Sequence, residues 1–424
     1  MVALISRRGG RSASFGGRNG KRVSAACSAL GAFAILSAGM ASSASAADVQ
    51  SRQWYLAAMK ADEMWKVSTG QGIKVAVIDS GVNAAIPSLK GQVLSGEVPS
   101  AVAYGATRDY TGHGTTMAEL IAGTGTGDGL KGIAPGAKIV PFRIVADSLK
   151  DKAEITKTAS SAQAIRAAAD TDVKILSMSF GSPGEDPEEA AAIKYAHSKG
   201  KLMFASVGND AESKNLIGYP AAYPYVIGVA ASDKSGTVGK FSEYGNYVDL
   251  AAPGLDIPAW CDKTFRSYCD GVGTSMATAI ASASAALIWS AHPNWTANQV
   301  LASLIDTAGR DWAKDDPSTY LGYGLIRPRM VLKQSNFNPG PAGTDPLARE
   351  NATGVTDEAG NAPSASASSS SPPSKATSGG QTSAAASTSD TSDNTTMWIA
   401  LGAAAAVLVI GGGAFAVLRS RRAT

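Results

Sequence analysis

An α/β fold is what this sequence predicts: a mainly parallel central sheet with helices on both faces, plus a single C-terminal transmembrane helix. Three observations lead there. Between about Gln53 and Gln334, short β-branched apolar runs alternate with alanine-rich stretches of helical pattern, as in crossover units. Those roughly 280 residues are ample for one large core. Reactive side chains lie at glycine-marked turns where strand patterns give way to helix patterns, the place where open α/β sheets collect their functional groups.

In chain order, the expected strands are "KVAVID" (74–79), "AKIVPFRIV" (137–145), "VKILSMSF" (173–180), "KLMFASV" (201–207), "YVIGVAASD" (225–233) and "YVDLAAPG" (247–254). The expected helices are 114–123, 158–170, 187–200, 274–292 and 296–308, the last beginning with a Thr cap.

The chain ends have other compositions. Residues 1–46 combine a basic leader, an apolar stretch and the small-residue site "SASAADVQ", the pattern of a secretory signal peptide. Arg7-Arg8 raises a twin-arginine export route without deciding it against the general one. Residues 47–338 form the expected folded domain. Residues 339–396 are rich in Ser, Ala, Thr and Pro and read as a disordered stalk. Met397 to Leu418 is an uncharged apolar span of bilayer length, followed by Arg419, Arg421 and Arg422 in a cytoplasmic tail, 419–424. This places a single-pass protein in the cell membrane with its folded domain outside.

The formal net charge of +3 has to be read with these segments in mind. Six Lys or Arg lie in the leader and three Arg in the tail, so the exported part carries about −6. Nothing here points to nucleic acid as a partner. Of three cysteines, Cys27 leaves with the leader. Cys261 and Cys269 remain as an even pair in an oxidising compartment, which favours a disulfide; two buried unpaired thiols are the other reading.

Four stretches hold chemistry. Asp79 ends the run "VAVID", although Asp-Ser-Gly after a strand also makes an ordinary turn. His113 lies between two glycines before a helix, whereas His197 and His292 read as surface histidines. Ser275, in "DGVGTSMA", sits in the first turn of a long helix, where Gly-Thr-Ser is also a good cap. There the helix would offer it free N–H groups and a positive dipole end. Asn209, after a strand and a glycine, could donate to an oxyanion or simply make a turn. Together an Asp, a His and a Ser supply the parts of an activated nucleophile.

The segments "VAVIDSGV", "GHGT", "SMSFG", "SVGN" and "GTSMA" resemble, in order, the signatures of the subtilisin-like serine proteases. The resemblance covers about residues 53–330 and includes "GIAPGA" (132–137), "IGYPAAYP" (217–224) and "FSEYG…VDLAAPG" (241–254). It implies Asp79 as orienting acid, His113 as general base, Ser275 as nucleophile and Asn209 as oxyanion donor. It also implies that Ser179, Phe180 and Gly181 form the edge along which a peptide or protein substrate lies, and that Gly208 and Gly218 shape the primary specificity pocket.

Thr116 stands where this family usually has a second His, and Glu119 where it usually has Gly. Loop 124–131 lacks the Asn-rich calcium ligands of secreted bacterial members, so no metal and no cofactor are expected. No folding propeptide of ordinary length fits between Ala46 and Gln53. Leader, catalytic domain, stalk, span and basic tail together look like the mycosins, membrane-anchored subtilases that accompany type VII secretion. The implied activity is extracellular serine endopeptidase. A structural subunit of a secretion complex, in which proteolysis is secondary, is the alternative; a hydrolase of esters or small amides fits the peptide-length edge less well.

Overall fold

A computed structural model describes residues 48–146, 148–352 and 355. Six strands form its central sheet: β1 (Lys74–Asp79), β2 (Lys138–Arg143), β3 (Ile175–Met178), β5 (Leu202–Ser206), β7 (Val226–Ser232) and β8 (Leu250–Pro253). Their spatial order is β2-β1-β3-β5-β7-β8, and every pairing is parallel. These strands are buried along almost their whole length because helices cover both faces, which is why they read as unbroken apolar runs.

On one face lies the Thr274–Ala291 helix. Its alanines 277, 279, 281, 283, 285 and 286 have no exposed surface, and their small size lets the helix axis approach the sheet closely. The helix has the length and apolarity of a membrane span, yet 83% of that stretch is buried inside the domain. On the opposite face the Ser161–Ala169 and Pro187–Ser198 helices pack together over a second core that includes Ile165, Ala168, Ile193 and Ala196. The first begins with a capping box, Ser160 with Gln163, and the second with Pro187 at its first position after the Asp186 cap. Thr296 caps the Ala297–Thr307 helix through a second such box.

Several expected elements are shorter in the fold. The 173–180 run is a strand only over Ile175–Met178, and 247–254 only over Leu250–Pro253. In each case the apolar pattern outruns the sheet, because the ends of those segments leave the ladder to build loops. Two short pairings were not legible: β4 (Ser182–Pro183) with β6 (Gly218–Tyr219), and β9 (Ile257–Trp260) with β10 (Tyr268–Gly271), both antiparallel.

The expected boundary at residue 338 falls inside the folded body. Gly340 and Ala342 accept hydrogen bonds from Gln299 and Thr296, Leu347 is buried, and Asn351 accepts the Tyr225 N–H at 2.9 Å. Low hydrophobicity at 339–352 concealed this, because the segment is held mainly by polar contacts. The leader, most of the stalk, the 397–418 span and the tail lie outside the described residues.

Candidate active site

The carboxyl end of β1 presents Asp79, which is almost fully buried. His113 is the first residue of the His113–Ala122 helix, and its Nδ1 lies 2.8 and 2.9 Å from the two Asp79 oxygens. A carboxylate only accepts, so Nδ1 carries the proton and Nε2 keeps its lone pair. Both flanking glycines are needed. Gly112 has φ +96°, and a Cβ there would sit 2.8 Å from the Asp262 carbonyl. A Cβ on Gly114 would lie 2.3 Å from the Gly81 carbonyl and 3.0 Å from Asp79 Oδ1, so only glycine lets this helix reach the end of β1.

Around this pair runs a polar network. The Ser80 N–H donates to Asp79 at 2.6 Å. The Ser80 hydroxyl lies 3.0 Å from Asp79 and 2.8 Å from Asp109, and it accepts the Gly114 N–H. Asp109 accepts the N–H groups of Thr111, Gly112 and Thr115, at 2.8–2.9 Å, so a carboxylate caps the start of the His113 helix. Sequence reasoning missed Asp109; an acid just ahead of "TGHGTT" was the available signal. Desolvation opposes protonation of His113, but the charge and hydrogen bond of Asp79, with a contribution from Asp109, outweigh it and hold the imidazole pKa above its ordinary value.

Ser275 is the second residue of its helix and is half-buried. Its hydroxyl points toward the Ser179 carbonyl at 3.5 Å, and the Ser179 hydroxyl donates to the Ser275 carbonyl at 3.2 Å. Asn209 is oriented by Thr274, whose N–H donates to Oδ1 at 2.9 Å and whose hydroxyl lies at 3.0 Å. Since an N–H cannot accept, this fixes the amide and leaves the Asn209 NH₂ as the outward donor. Among the described residues Ser275 and His113 form no hydrogen bond; such pairs commonly tighten only with substrate bound. The other two histidines are half-buried and stacked, His197 on Tyr225 and His292 on Trp295. They are surface residues with aromatic partners.

The sequence matches the Subtilase family over residues 70–324. The chain belongs to that family. It is 33% identical over 280 residues to thermitase of Thermoactinomyces vulgaris, covering 64% of this chain and 95% of thermitase. It is also 33% identical to subtilisin E of Bacillus subtilis, covering 61% of this chain and 65% of that one. Among solved structures it is similar to the MycP3 protease from the type VII (ESX-3) secretion system, with a TM-score of 0.55, 27% identity, and coverage of 66% of this chain and 87% of that chain. Sphericase gives a TM-score of 0.52 at 31% identity, covering 61% of this chain and 92% of its own. The protein is therefore a serine endopeptidase of the subtilase type with mycosin-like structural relatives.

In this subtilase the two departures from the usual pattern have one explanation. Cys261 and Cys269 are joined by a disulfide across the β9–β10 hairpin. Trp260, next to Cys261, donates its backbone N–H to the Thr116 hydroxyl at 3.1 Å and its indole N–H to Glu119 at 2.6 Å. Tyr268, next to Cys269, donates to Glu119 at 2.9 Å. Ser88 and the Leu130 N–H complete the shell of a carboxyl with no exposed surface. Burial pushes the Glu119 pKa up to about 7, against the pull of those donors. Thr116 and Glu119 thus dock the disulfide hairpin on the His113 helix.

The predicted substrate edge, Ser179, Phe180 and Gly181, continues from the end of β3 into the β4–β6 pairing. Gly208, with φ +122°, borders Thr274, and Gly218 lies in β6 facing Pro183. Ser179, Gly208 and Asn209 thus contact the start of the Ser275 helix, and Gly218 lies against the Val207 carbonyl, next to Gly208 in the chain.

Proposed function

We propose that this subtilase is a membrane-anchored extracellular endopeptidase working through Asp79, His113 and Ser275, and that it is of the mycosin type. The observation that carries the chemistry is the two-oxygen hold of Asp79 on His113 Nδ1, which leaves Nε2 basic beside the groove. Ser275 Oγ would attack the peptide carbonyl while His113 Nε2 takes its proton. The imidazolium is stabilised by Asp79 and returns the proton to the departing amine. The oxyanion would be met by the Asn209 NH₂ and the Ser275 N–H, one of the donors that a helix start leaves unpaired. Water activated by His113 then hydrolyses the acyl-enzyme.

Membrane attachment rests on the apolar span Met397 to Leu418 with its following arginines. Association with a type VII secretion complex rests on the likeness to the MycP3 protease and on the domain order. The test compares wild-type and Ser275→Ala full-length protein in membranes for two properties, cleavage of an unfolded protein and co-purification with the secretion complex. Loss of cleavage with assembly retained supports the reading. Cleavage surviving the substitution overturns the mechanism, and absence of any co-purification overturns the mycosin assignment.

A further inference from the structure

Beside Ser275 the backbones of three segments approach one another with no side chains between them. A Cβ on Gly218 would lie 2.5 Å from the Val207 carbonyl, and one on Gly181 would lie 3.5 Å from the Tyr219 carbonyl. The Gly208 N–H lies 3.3 Å from the Thr274 hydroxyl, next to the nucleophile. Against two of these glycines, 208 and 218, packs the carboxylate of Glu243. Its Oε2 fills the space that a side chain on Gly208 would need, 1.8 Å from the Cβ position, and lies 3.3 Å from that of Gly218.

Glu243 is 5% exposed, and its own N–H donates to the Gly208 carbonyl at 3.1 Å, which pins it to the recess. The N–H groups of Asp210 and Leu216 support the carboxylate. Two such bonds leave acceptor capacity, since a carboxylate offers about four lone-pair sites. Among the described residues it has no salt-bridge partner. A buried carboxylate without a cation is costly, and burial, with the nearby Asp210 charge adding to it, pushes its pKa up to about 7. The recess therefore lacks a positive charge that an incoming side chain can bring.

Resting on the endopeptidase reading of the same site, we propose that Glu243 closes the primary specificity pocket and selects substrates with arginine or lysine on the acyl side of the scissile bond. A long cationic side chain would lay its methylenes along the glycine walls and place its charge on Oε2. An acid at the base of such a pocket is a sufficient physical cause of that selectivity.

The experiment uses the full chain and fluorogenic peptides differing only at that residue: Arg, Lys, Phe or Glu. Wild-type kcat/KM should be highest for Arg and Lys. Glu243→Gln should lower the Arg-to-Phe ratio roughly 30-fold or more, the loss typical when one partner of a buried charge pair is neutralised. A second measurement needs no variant: benzamidine, an arginine mimic, should slow fluorophosphonate labelling of wild type, whereas benzamide should not. Labelled, active enzyme with no preference for Arg or Lys, no benzamidine protection, or a ratio unchanged in Glu243→Gln overturns the assignment of Glu243 alone. Wild-type protein that neither labels nor cleaves any peptide overturns the endopeptidase reading, and this inference with it.

Discussion

The two halves of the candidate site are held in different ways. On the His113 side, two carboxylates, a serine and five backbone N–H groups fix the imidazole, and glycines at 112 and 114 allow the close approach. On the Ser275 side, the hydroxyl has one long contact, 3.5 Å to the Ser179 carbonyl, and its place is set by the rigid helix beneath it. Charge-assisted hydrogen bonds fix a tautomer, which the base requires before substrate arrives. A hydroxyl needs only position, and substrate supplies the final alignment. On the proposed reading, the base half is preorganised by electrostatics and the nucleophile half by packing.

The strongest way to break this comparison is to remove either reactive group. Ser275→Ala and His113→Ala should each lower kcat on the order of 10⁶-fold, the scale for residues acting as one unit. Both proteins should keep wild-type circular dichroism. A double variant no worse than either single would show that the halves function together.

Asn209→Ala probes the nucleophile half. As the proposed oxyanion donor, its amide would meet charge only as the transition state forms, so kcat should fall about 10²- to 10³-fold with KM little changed. A change confined to KM would make Asn209 a substrate-binding group.

Glu119 sharpens the contrast, because it ties the disulfide hairpin to the base half. Its folded pKa, about 7, lies above the ordinary carboxyl value. The contribution of this proton to stability is full below about pH 4.5 and is lost as pH rises through about 7, so stability should fall across that window. Glu119→Gln should flatten the fall, which is about 3 kcal/mol at one pKa unit per 1.4 kcal/mol. Denaturant midpoints measured from pH 4 to 8 check this; an unchanged slope in the variant would remove Glu119 as its source.

The smallest effect belongs to the disulfide. Cys261→Ser with Cys269→Ser closes no long loop, so chain entropy predicts a loss of only about 2.5 kcal/mol. Because the hairpin bonds to the His113 helix and runs directly into the Ser275 helix, turnover should drop before the domain unfolds. Activity and melting temperature falling in parallel would contradict that order.

Much of this site was legible because its chemistry sits in short local segments. Asp79 ends a strand, His113 and Ser275 lie in the first turn of helices, Asn209 follows a strand by three residues, and glycines mark the turns between. Asp109 and Glu243 were not legible, since a carboxylate in a loop reads as solvated until its partners from distant segments are known. Glu119 was noticed only as a departure; its partners Ser88, Trp260 and Tyr268 are separated from it by 31, 141 and 149 positions. The same limit hid the fold of 339–352, whose contacts are polar and long-range.

The central claim, that His113 activates Ser275, is tested most directly by fluorophosphonate labelling of the full chain across pH. The expected result is a single modified residue, Ser275, with a labelling rate that rises as His113 loses its proton, at a midpoint above the ordinary histidine value. Asp79→Asn should slow it on the order of 10⁴-fold. Labelling at another serine, or labelling of Ser275 that is indifferent to both pH and Asp79→Asn, would contradict it.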